Sequence, residues 1–359
     1  MSGPAAETFS TIGLPVPQRI ALWERHNAAA LVGLEVRAGT ALQAAETSVR
    51  LPAATLARVR GSAHAVHRSA AAISRDPCAA LAVYLPLRGE GSFEQDGRAL
   101  TLRPGHALVC ETDRPFTRTF AHGLEELVVT VPHAALDLAY GRAPDAPLLP
   151  RPSVTAFGAA AAGTATAPGP AVYAAALARL AARATRDRQP VRADARTIVE
   201  LVCVLADGEG GARSDRARAY RAAARAFIED HVGEPGLGAD RVAHAVGISE
   251  RHLSRIFAAD GTSVPRYVLA RRLELAYALL AAPPTRTALS DDGSARCAES
   301  VGEIASACGF TSTAYFSHVF ARRFGRHAGE LLREARAERR RLLISAIRPP
   351  EHGGVPSPR

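Results

Sequence analysis

Residues 237–258 read LGADRVAHAVGISERHLSRIFA, a pattern typical of two short helices joined by a tight turn. Val246 lies on the expected inner side of the first helix, and Gly247 can adopt the left-handed backbone conformation that ends it. Ser249 is a good N-cap for a second helix over Glu250–Ala258. The segment therefore predicts a helix-turn-helix unit.

The second helix of this unit is predicted to have an apolar side and a polar side. Leu253, Ile256 and Phe257 follow the i, i+3, i+4 spacing of a buried stripe. The polar side carries donors long enough to reach base edges and phosphates from the major groove. The candidate DNA-contacting residues are Ser249, Glu250, Arg251, His252, Ser254 and Arg255.

A second copy of the pattern occupies residues 301–321, VGEIASACGFTSTAYFSHVFA. Gly309 corresponds to Gly247 of the first copy, and Ser312 corresponds to Ser249 after one extra turn residue. Two copies in one chain are much harder to attribute to chance than one. The candidate DNA-contacting residues of the second copy are Ser312, Thr313, Ala314, Ser317 and His318.

The aromatic residues of the second copy are predicted to be core residues, because they fall on its buried side. They are Phe310, Tyr315, Phe316 and Phe320. Between the copies, a single helix is predicted over Ser263–Leu280. If the two recognition helices lie parallel and about one turn of B-DNA apart, roughly 34 Å, one chain reads two adjacent major grooves.

The first part of the chain reads mostly as strands. After a predicted helix over Ile20–Leu31, apolar residues alternate in Leu81–Leu87, and Glu126–Val131 is a further strand. Gln95–Arg98 predicts a hairpin because Asp-Gly accepts the positive φ of tight turns, and Pro104-Gly105 marks another turn. Short strands at this spacing indicate a small barrel or sandwich.

The middle of the chain has a different composition. Phe157–Pro170 is rich in Gly and Ala, which predicts a flexible stretch. Helices are predicted over Val172–Thr185 and Ala193–Leu205, and their apolar stripe either packs within its own domain or forms a homodimer interface. Asp207–Gly211 is a predicted hinge.

The composition is that of a globular chain of about two domains, with 359 residues of which 47% are hydrophobic. It has no run of about 20 apolar residues, and Met1–Pro15 lacks the features of a signal peptide, so a cytoplasmic protein with no membrane contact is expected. The five scattered cysteines form no CxxC pair, which predicts packed, reduced thiols. They are Cys78, Cys110, Cys203, Cys297 and Cys308.

The net charge is +9, and every basic residue is arginine, which suits bidentate contacts with phosphate and guanine. Residues 212–359 hold 23 arginines against 16 acidic residues, a balance of +7, whereas residues 1–211 contribute +2. The positive charge is therefore concentrated in the part of the chain that holds the two helix-turn-helix copies, as expected for a nucleic-acid-binding domain.

The C-terminal third resembles the AraC/XylS family of transcriptional regulators between Tyr220 and Arg333. The matching residues are Ser249–Phe257 with Gly261, Arg272-Leu273, Ala276, Leu279-Leu280, Ile304-Ala305, Gly309-Phe310, Tyr315–Ser317, Phe320 and Gly325. The chain departs from the family pattern at Ala328 and Leu331-Leu332, where proline and a tyrosine-arginine pair are usual. Its segment 281–300 is also longer than usual.

The resemblance implies which helix positions contact bases. In the first copy these match Arg251, Ser254 and Arg255, and in the second they match Thr313, Ala314 and His318. The alanine at 314 cannot hydrogen-bond, so the second copy is expected to contribute position more than sequence information.

The N-terminal part is similar to the cupin-like domain of the same family at Trp23, Gly89–Gly91, Gln95–Arg98 and Pro104-Gly105. This likeness implies a barrel that holds a small-molecule effector or an interaction surface. For the whole chain, the resemblance implies a regulator, with activation as the expected outcome, whose partners are double-stranded DNA and RNA polymerase.

The predicted fold class is α+β, with an N-terminal cupin-like β-barrel and following helices, and a C-terminal all-α double helix-turn-helix domain. The predicted domains are a sensory or effector domain over 1–155, a flexible stretch with helices that is a candidate for dimerisation over 156–211, and a DNA-binding domain over 212–345. The two helix-turn-helix units within the last are placed at 237–258 and 301–321.

A second hypothesis is a cupin-like metalloenzyme whose DNA-binding domain only locates it. Its candidate ligands lie among His64, His67, His106, His122 and His133. Their spacing lacks the His-x-His pair and downstream carboxylate of such sites, and no hydrolase, kinase or phosphate-loop signature is present. We therefore expect a regulator without enzymatic activity, metal or cofactor.

Overall fold

The computed structural model describes residues 6–39, 41–140, 149, 151–157, 170–186, 195–207, 213–281 and 300–347. The contacts divide the chain into two compact units. The first is drawn from residues 1–231 and 238–265 and holds all the described strands and the first helix-turn-helix copy. The second is drawn from residues 232–237 and 266–359 and holds the second copy.

Two antiparallel sheets build most of the first unit. The larger sheet has seven strands in the spatial order β1 (Ala6–Ser10), β3 (Ala44–Leu51), β4 (Ala54–Gly61), β11 (Leu124–Pro132), β6 (Ala80–Arg88), β9 (His106–Glu111) and β12 (Ser153–Ala156). The smaller sheet has five, in the order β2 (Glu35–Arg37), β5 (His64–Arg68), β10 (Phe116–Phe120), β7 (Gly91–Gln95) and β8 (Arg98–Leu102).

The hydrophobic core of the first unit lies between the two sheets. Phe93 and Phe116 of the smaller sheet stack with ring centroids 5.5 Å apart, and they share one core with Tyr84 and Leu108 of the larger sheet. The predicted cupin-like domain is therefore confirmed in its strand content and its shared core. It consists of two sheets, and the larger one ends at β1 and β12 without closing into a ring.

The hairpin predicted at Gln95–Arg98 is confirmed in its backbone angles. β7 ends at Gln95 and β8 begins at Arg98, so the turn contains two residues. Asp96 has φ +52° and Gly97 has φ +72°. Both values lie in the left-handed region that two-residue hairpin turns require, which explains the Asp-Gly pair.

A buried ion pair joins the two sheets. Arg118 of β10 donates to Glu126 of β11 over 2.8 Å and 2.6 Å, and its guanidinium lies 3.8 Å from the centroid of the Tyr84 ring. Burial is the largest single effect on Arg118 and lowers its pKa, but the charge of Glu126 and its hydrogen bonds, together with smaller effects of Tyr84 and Cys110, outweigh burial and raise that pKa.

The cavity beside this pair is small. It measures about 40 Å³, far below the ~300 Å³ at which typical ligand pockets begin. This cavity, in the region where the family resemblance implied an effector site, is therefore too small for a typical ligand.

Helices follow and flank the sheets. Within the described residues they are α1 (Arg19–Ala30), α2 (Ala70–Arg75), α3 (His133–Tyr140), α4 (Pro170–Arg186), α5 (Ala195–Asp207), α6 (Arg213–His231), α7 (Ala239–Val246), α8 (Glu250–Ala258), α9 (Val264–Ala281), α10 (Val301–Ala307), α11 (Thr313–Phe324) and α12 (Ala328–Ile347). The helices predicted over Ile20–Leu31, Val172–Thr185, Ala193–Leu205 and Ser263–Leu280 are confirmed as α1, α4, α5 and α9. Residues 158–169, 208–212 and 282–299 lie outside the described residues, so the predicted flexible stretch, hinge and long loop stay predictions.

The apolar stripes of α4 and α5 are buried within the first unit. Leu177, Ile198, Val202 and Leu205 are each fully buried in the single chain. The two helices pack against each other and against α6. Of the two interpretations of this stripe, the structure supports packing within its own unit.

The second unit has a core of its own, built by α9, α10, α11 and α12 around Phe316 and Phe320. Ala328 and Leu331 belong to this core, so the two positions that depart from the family pattern serve packing here. Gly309 has φ +79°, and a Cβ at this position would lie 3.0 Å from atoms of Arg272 and of Gly233. Glycine is therefore favoured by the backbone angle, and a side chain here would also crowd Arg272 and Gly233.

The four described cysteines are free thiols, as predicted, while Cys297 lies outside the described residues. Cys110, Cys203 and Cys308 are buried, and burial raises the pKa of Cys110 to about 12. Among the described residues, no helix combines the length and apolar character that crossing a membrane requires.

Candidate nucleic-acid interface

The first helix-turn-helix copy has the predicted local structure. α7 ends at Gly247, which has φ +72° and caps the helix in the left-handed conformation. The Ser249 hydroxyl oxygen accepts the His252 N–H over 3.3 Å, so it caps α8. Leu253 and Phe257 are fully buried. The position of α8 relative to α7 is therefore set by three features, which are the glycine that ends α7, the serine that caps α8 and the buried apolar stripe of α8.

Five of the six residues predicted to contact DNA from this copy are exposed. They are Ser249, Glu250, Arg251, Ser254 and Arg255. His252 is half-buried instead, with its ring edge-on to Tyr220 of α6 at a centroid distance of 5.8 Å. The free side of α8 is therefore a polar strip with two guanidinium groups one helical turn apart.

The second copy is built with the same devices. Ser300 and Glu303 form a capping box at the start of α10, in which each side chain accepts the other residue's N–H over 3.1 Å. Ser312 caps α11 by accepting the Tyr315 N–H over 3.3 Å. The turn before it passes through Gly309 at positive φ.

The residues predicted to contact DNA from the second copy carry shorter side chains. Thr313, Ala314 and His318 are exposed, as is Ser312. Ser317 is half-buried, and its hydroxyl donates to the Thr313 carbonyl over 2.9 Å. That bond occupies the hydroxyl proton within the helix, so Ser317 offers only an acceptor outward.

One core prediction of the second copy is wrong. Phe310, Phe316 and Phe320 are buried as expected, but Tyr315 is 53% exposed. Tyr315 precedes Phe316 by one residue, which turns it about 100° around the helix from the buried stripe. Its ring only borders Phe310, at a centroid distance of 6.4 Å.

The sequence reasoning also missed the last turn of α11. This helix runs to Phe324 and ends at Gly325, which has φ +66°. Arg322 and Arg323 in that turn are exposed. The run Arg322-Arg323-Phe324 directly before the capping Gly325 was the sequence signal that could have indicated this turn.

The histidines of the metalloenzyme hypothesis do not converge. His64 and His67 lie three residues apart in β5, so they point to opposite faces of the sheet. His64 is bonded to the Ser62 carbonyl over 2.6 Å, and burial lowers its pKa. His67 faces the Thr117 hydroxyl at 3.0 Å. Among the described residues, no group of three metal-ligating side chains comes together, and this hypothesis is not favoured.

Two capped helix-turn-helix copies with exposed polar recognition faces, in one chain with a two-sheet cupin-like domain, define a DNA-binding transcriptional regulator. Residues 23–228 match the AraC-binding-like domain family, and residues 242–334 match a helix-turn-helix domain family. The first match covers more than half of the chain. The chain therefore belongs to the AraC family.

Individual relatives match smaller parts or at lower identity. The transcriptional activator RhrA of Rhizobium meliloti (strain 1021) is 32% identical over 110 residues, which is 31% of this chain and 31% of RhrA. The chain thus matches about a third of that relative's length.

Two solved structures are also similar. The AraC-like transcriptional activator CuxR is 20% identical, with a TM-score of 0.42, over 76% of this chain and 95% of CuxR. An AraC-type regulator from Chromobacterium violaceum is 31% identical, with a TM-score of 0.26, over 31% of this chain and 88% of that structure.

Proposed function

We propose that this AraC-family protein recognises a specific duplex DNA site through α8 and α11, each placed in a major groove. The observation that carries the proposal is the exposed pair Arg251 and Arg255 on the face of α8 opposite its buried stripe. Arginine is the side chain best suited to bidentate contacts with guanine. Two such helices in one chain suit a site of two segments about one turn of B-DNA apart.

Each residue of the interface has a proposed role. Arg251, Ser254 and Arg255 read bases from the first copy, and Thr313 and His318 do so from the second. Glu250 and His252 border the residues of α8 that read bases. Ala314 and Ser317 allow α11 to pack closely against the DNA. Ser249 and Ser312 hold the two helix starts and place the adjacent N–H groups toward phosphates.

At the level of the whole protein, we propose a cytoplasmic regulator that activates transcription through contact with RNA polymerase and has no catalytic role. RhrA and CuxR are each described as transcriptional activators, which supports activation as the outcome. We further propose that the N-terminal unit responds to a small-molecule effector and that the protein acts as a homodimer, the commonest oligomeric state.

The test is a selection of bound duplexes from a random-sequence DNA library by the full chain, followed by titration of the selected duplex at several salt concentrations. We expect an enriched motif and an affinity that falls steeply as salt rises, because contacts with phosphate release counterions. Failure to enrich any motif, or binding that does not depend on salt, would contradict the proposal.

A further inference from the structure

A second cavity of the first unit lies outside the sheets. It measures about 520 Å³, which is within the size range of small-molecule sites and far above the 40 Å³ of the cavity beside Arg118 and Glu126. It is bounded by the turn between β3 and β4 and by α3, α5 and α6. Its lining includes Ala53, Ala135, Leu138, Val199, Arg218 and Arg221.

The walls of this cavity combine apolar surface with positive charge. Ala53, Ala135, Leu138 and Val199 supply apolar surface, and the Leu138 side chain is 88% exposed. Three arginines line the cavity, and two of them, Arg196 and Arg221, are ion-paired with Glu200 and Asp260. Guanidinium groups bind carboxylates bidentately, so this lining is complementary to an organic acid with an apolar body.

Arg221 is both a wall of the cavity and part of a buried ion cluster. Its guanidinium donates to Glu200 over 2.9 Å and to Asp260 over 3.0 Å. Arg225 also bonds to Asp260, over 2.6 Å. Within the described part of the chain, the buried Nε of Arg221 has no acceptor.

Asp260 connects this cluster to the candidate DNA-reading helix. It lies two residues beyond the end of α8, which closes at Ala258. The ion pairs of Asp260 therefore attach the end of α8 to α6, one of the helices that form the cavity. A carboxylate entering the cavity would compete with Asp260 for Arg221.

We propose that this cavity is the effector site, that it takes a small organic acid with an apolar body, and that the acid weakens DNA binding by drawing Arg221 away from Asp260. The effect on DNA rests on the proposed function, whereas binding of the acid does not. Linkage requires the reverse effect as well, so bound DNA lowers the affinity for the acid by the same factor.

The site is tested by calorimetric titration of the full chain, without DNA, with hexanoate, octanoate and benzoate, and with 1-octanol as the uncharged match of octanoate. We expect at least one acid to bind with a Kd below about 1 mM and 1-octanol to bind much more weakly. No binding by any of the acids, or equal binding of octanoate and 1-octanol, overturns the proposed site.

Three variants locate the binding. Arg218→Gln removes one guanidinium and should weaken binding of the acid about tenfold, as the loss of one charge-assisted hydrogen bond does. Ala135→Trp fills the cavity from a half-buried position and should abolish binding. Arg37→Gln, on the exposed side of β2, is the matched control and should bind as the wild type does. Thermal unfolding of each variant checks that it is folded, and equal binding by all three overturns the site.

The coupling is tested on the duplex selected in the experiment above, with and without saturating acid. We expect the acid to lower DNA affinity in the wild type and to have no effect in Asp260→Asn, which still binds the acid in calorimetry. An unchanged or raised DNA affinity in the wild type overturns the proposed coupling but does not contradict the proposed acid-binding site. If no DNA motif is enriched at all, the proposed function fails while the calorimetric result stands.

Discussion

The two helix-turn-helix copies share their construction but differ in what they present outward. Both have a glycine at positive φ before the recognition helix, a serine cap and a buried stripe that includes Phe257 or Phe320. The first recognition helix exposes Arg251 and Arg255, whereas the second exposes Thr313, Ala314 and His318 in the corresponding region. The positions that build the unit are therefore alike in the two copies, and the positions that we propose to read DNA differ.

The second copy carries its arginines at the other end of its helix. Arg322 and Arg323 lie in the last turn of α11, beyond the positions that correspond to the reading face of α8. Arginines at such a place suit contacts with phosphate, which fix register without reading sequence. We therefore propose that the first copy selects the sequence and that the second holds the protein in place.

The largest expected effect concerns the buried aromatic stripe that both recognition helices share. Phe316→Ala should lower the free energy of unfolding by about 3–5 kcal/mol, as truncation of a buried aromatic ring does. Its neighbour Tyr315→Ala should cost about 0.5 kcal/mol or less, because its ring is largely exposed. Chemical denaturation followed by circular dichroism measures both. Equal losses would show that the assignment of the buried side is wrong.

The next largest effect concerns the difference between the exposed residues of the two recognition helices. Arg255→Ala should weaken binding to the selected duplex by about 1–3 kcal/mol and relax the preference at one base pair. His318→Ala, at the corresponding position of the second copy, should cost clearly less. Fluorescence anisotropy on the selected duplex and on single-base variants measures both. A larger loss of DNA affinity in His318→Ala than in Arg255→Ala would show that the second copy contributes more to recognition than the first.

The serine caps provide a smaller effect that should be equal in the two copies. Ser249→Ala and Ser312→Ala should each lower the free energy of unfolding by about 1 kcal/mol, because one helix N–H loses its acceptor. Ser312→Asp is the control. Its carboxylate can accept the same N–H and preserve stability, while its charge repels phosphate and weakens DNA binding. Loss of stability in Ser312→Asp would argue against the capping role.

The smallest expected effect concerns the last turn of α11. Arg322→Gln should weaken binding alike for all sequences and reduce the slope of log affinity against log salt by about 0.9, the value for one phosphate contact. Titrations at several salt concentrations measure the slope, with Arg37→Gln as a control outside both copies. A change in base preference in Arg322→Gln would move this residue to the reading surface.

The construction of both copies was predictable because it depends on local rules. Gly247, Ser249 and Ser312 act within one turn of their own helix, so spacing alone places them. The hairpin at Asp96-Gly97 was predictable for the same reason. Tyr315 was assigned wrongly because a one-residue step around a helix separates a buried face from an exposed one.

Features that join distant segments were not predictable. Arg118 and Glu126 meet across two different sheets, and nothing in their spacing indicates that they form a buried ion pair. The cluster of Arg221, Glu200 and Asp260 joins α5, α6 and the end of α8. Its charges are spread along the sequence among many other arginines, so only the folded chain identifies the set.

The central claim, that sequence choice lies mainly in the first copy, is tested most directly by comparing the base preferences of the wild type and Arg255→Ala in the same random-library selection. We expect the wild type to enrich a motif with one strongly and one weakly specified segment, and Arg255→Ala to lose preference within the strong segment alone. Two equally specified segments in the wild type, or an unchanged motif in Arg255→Ala, would contradict the claim.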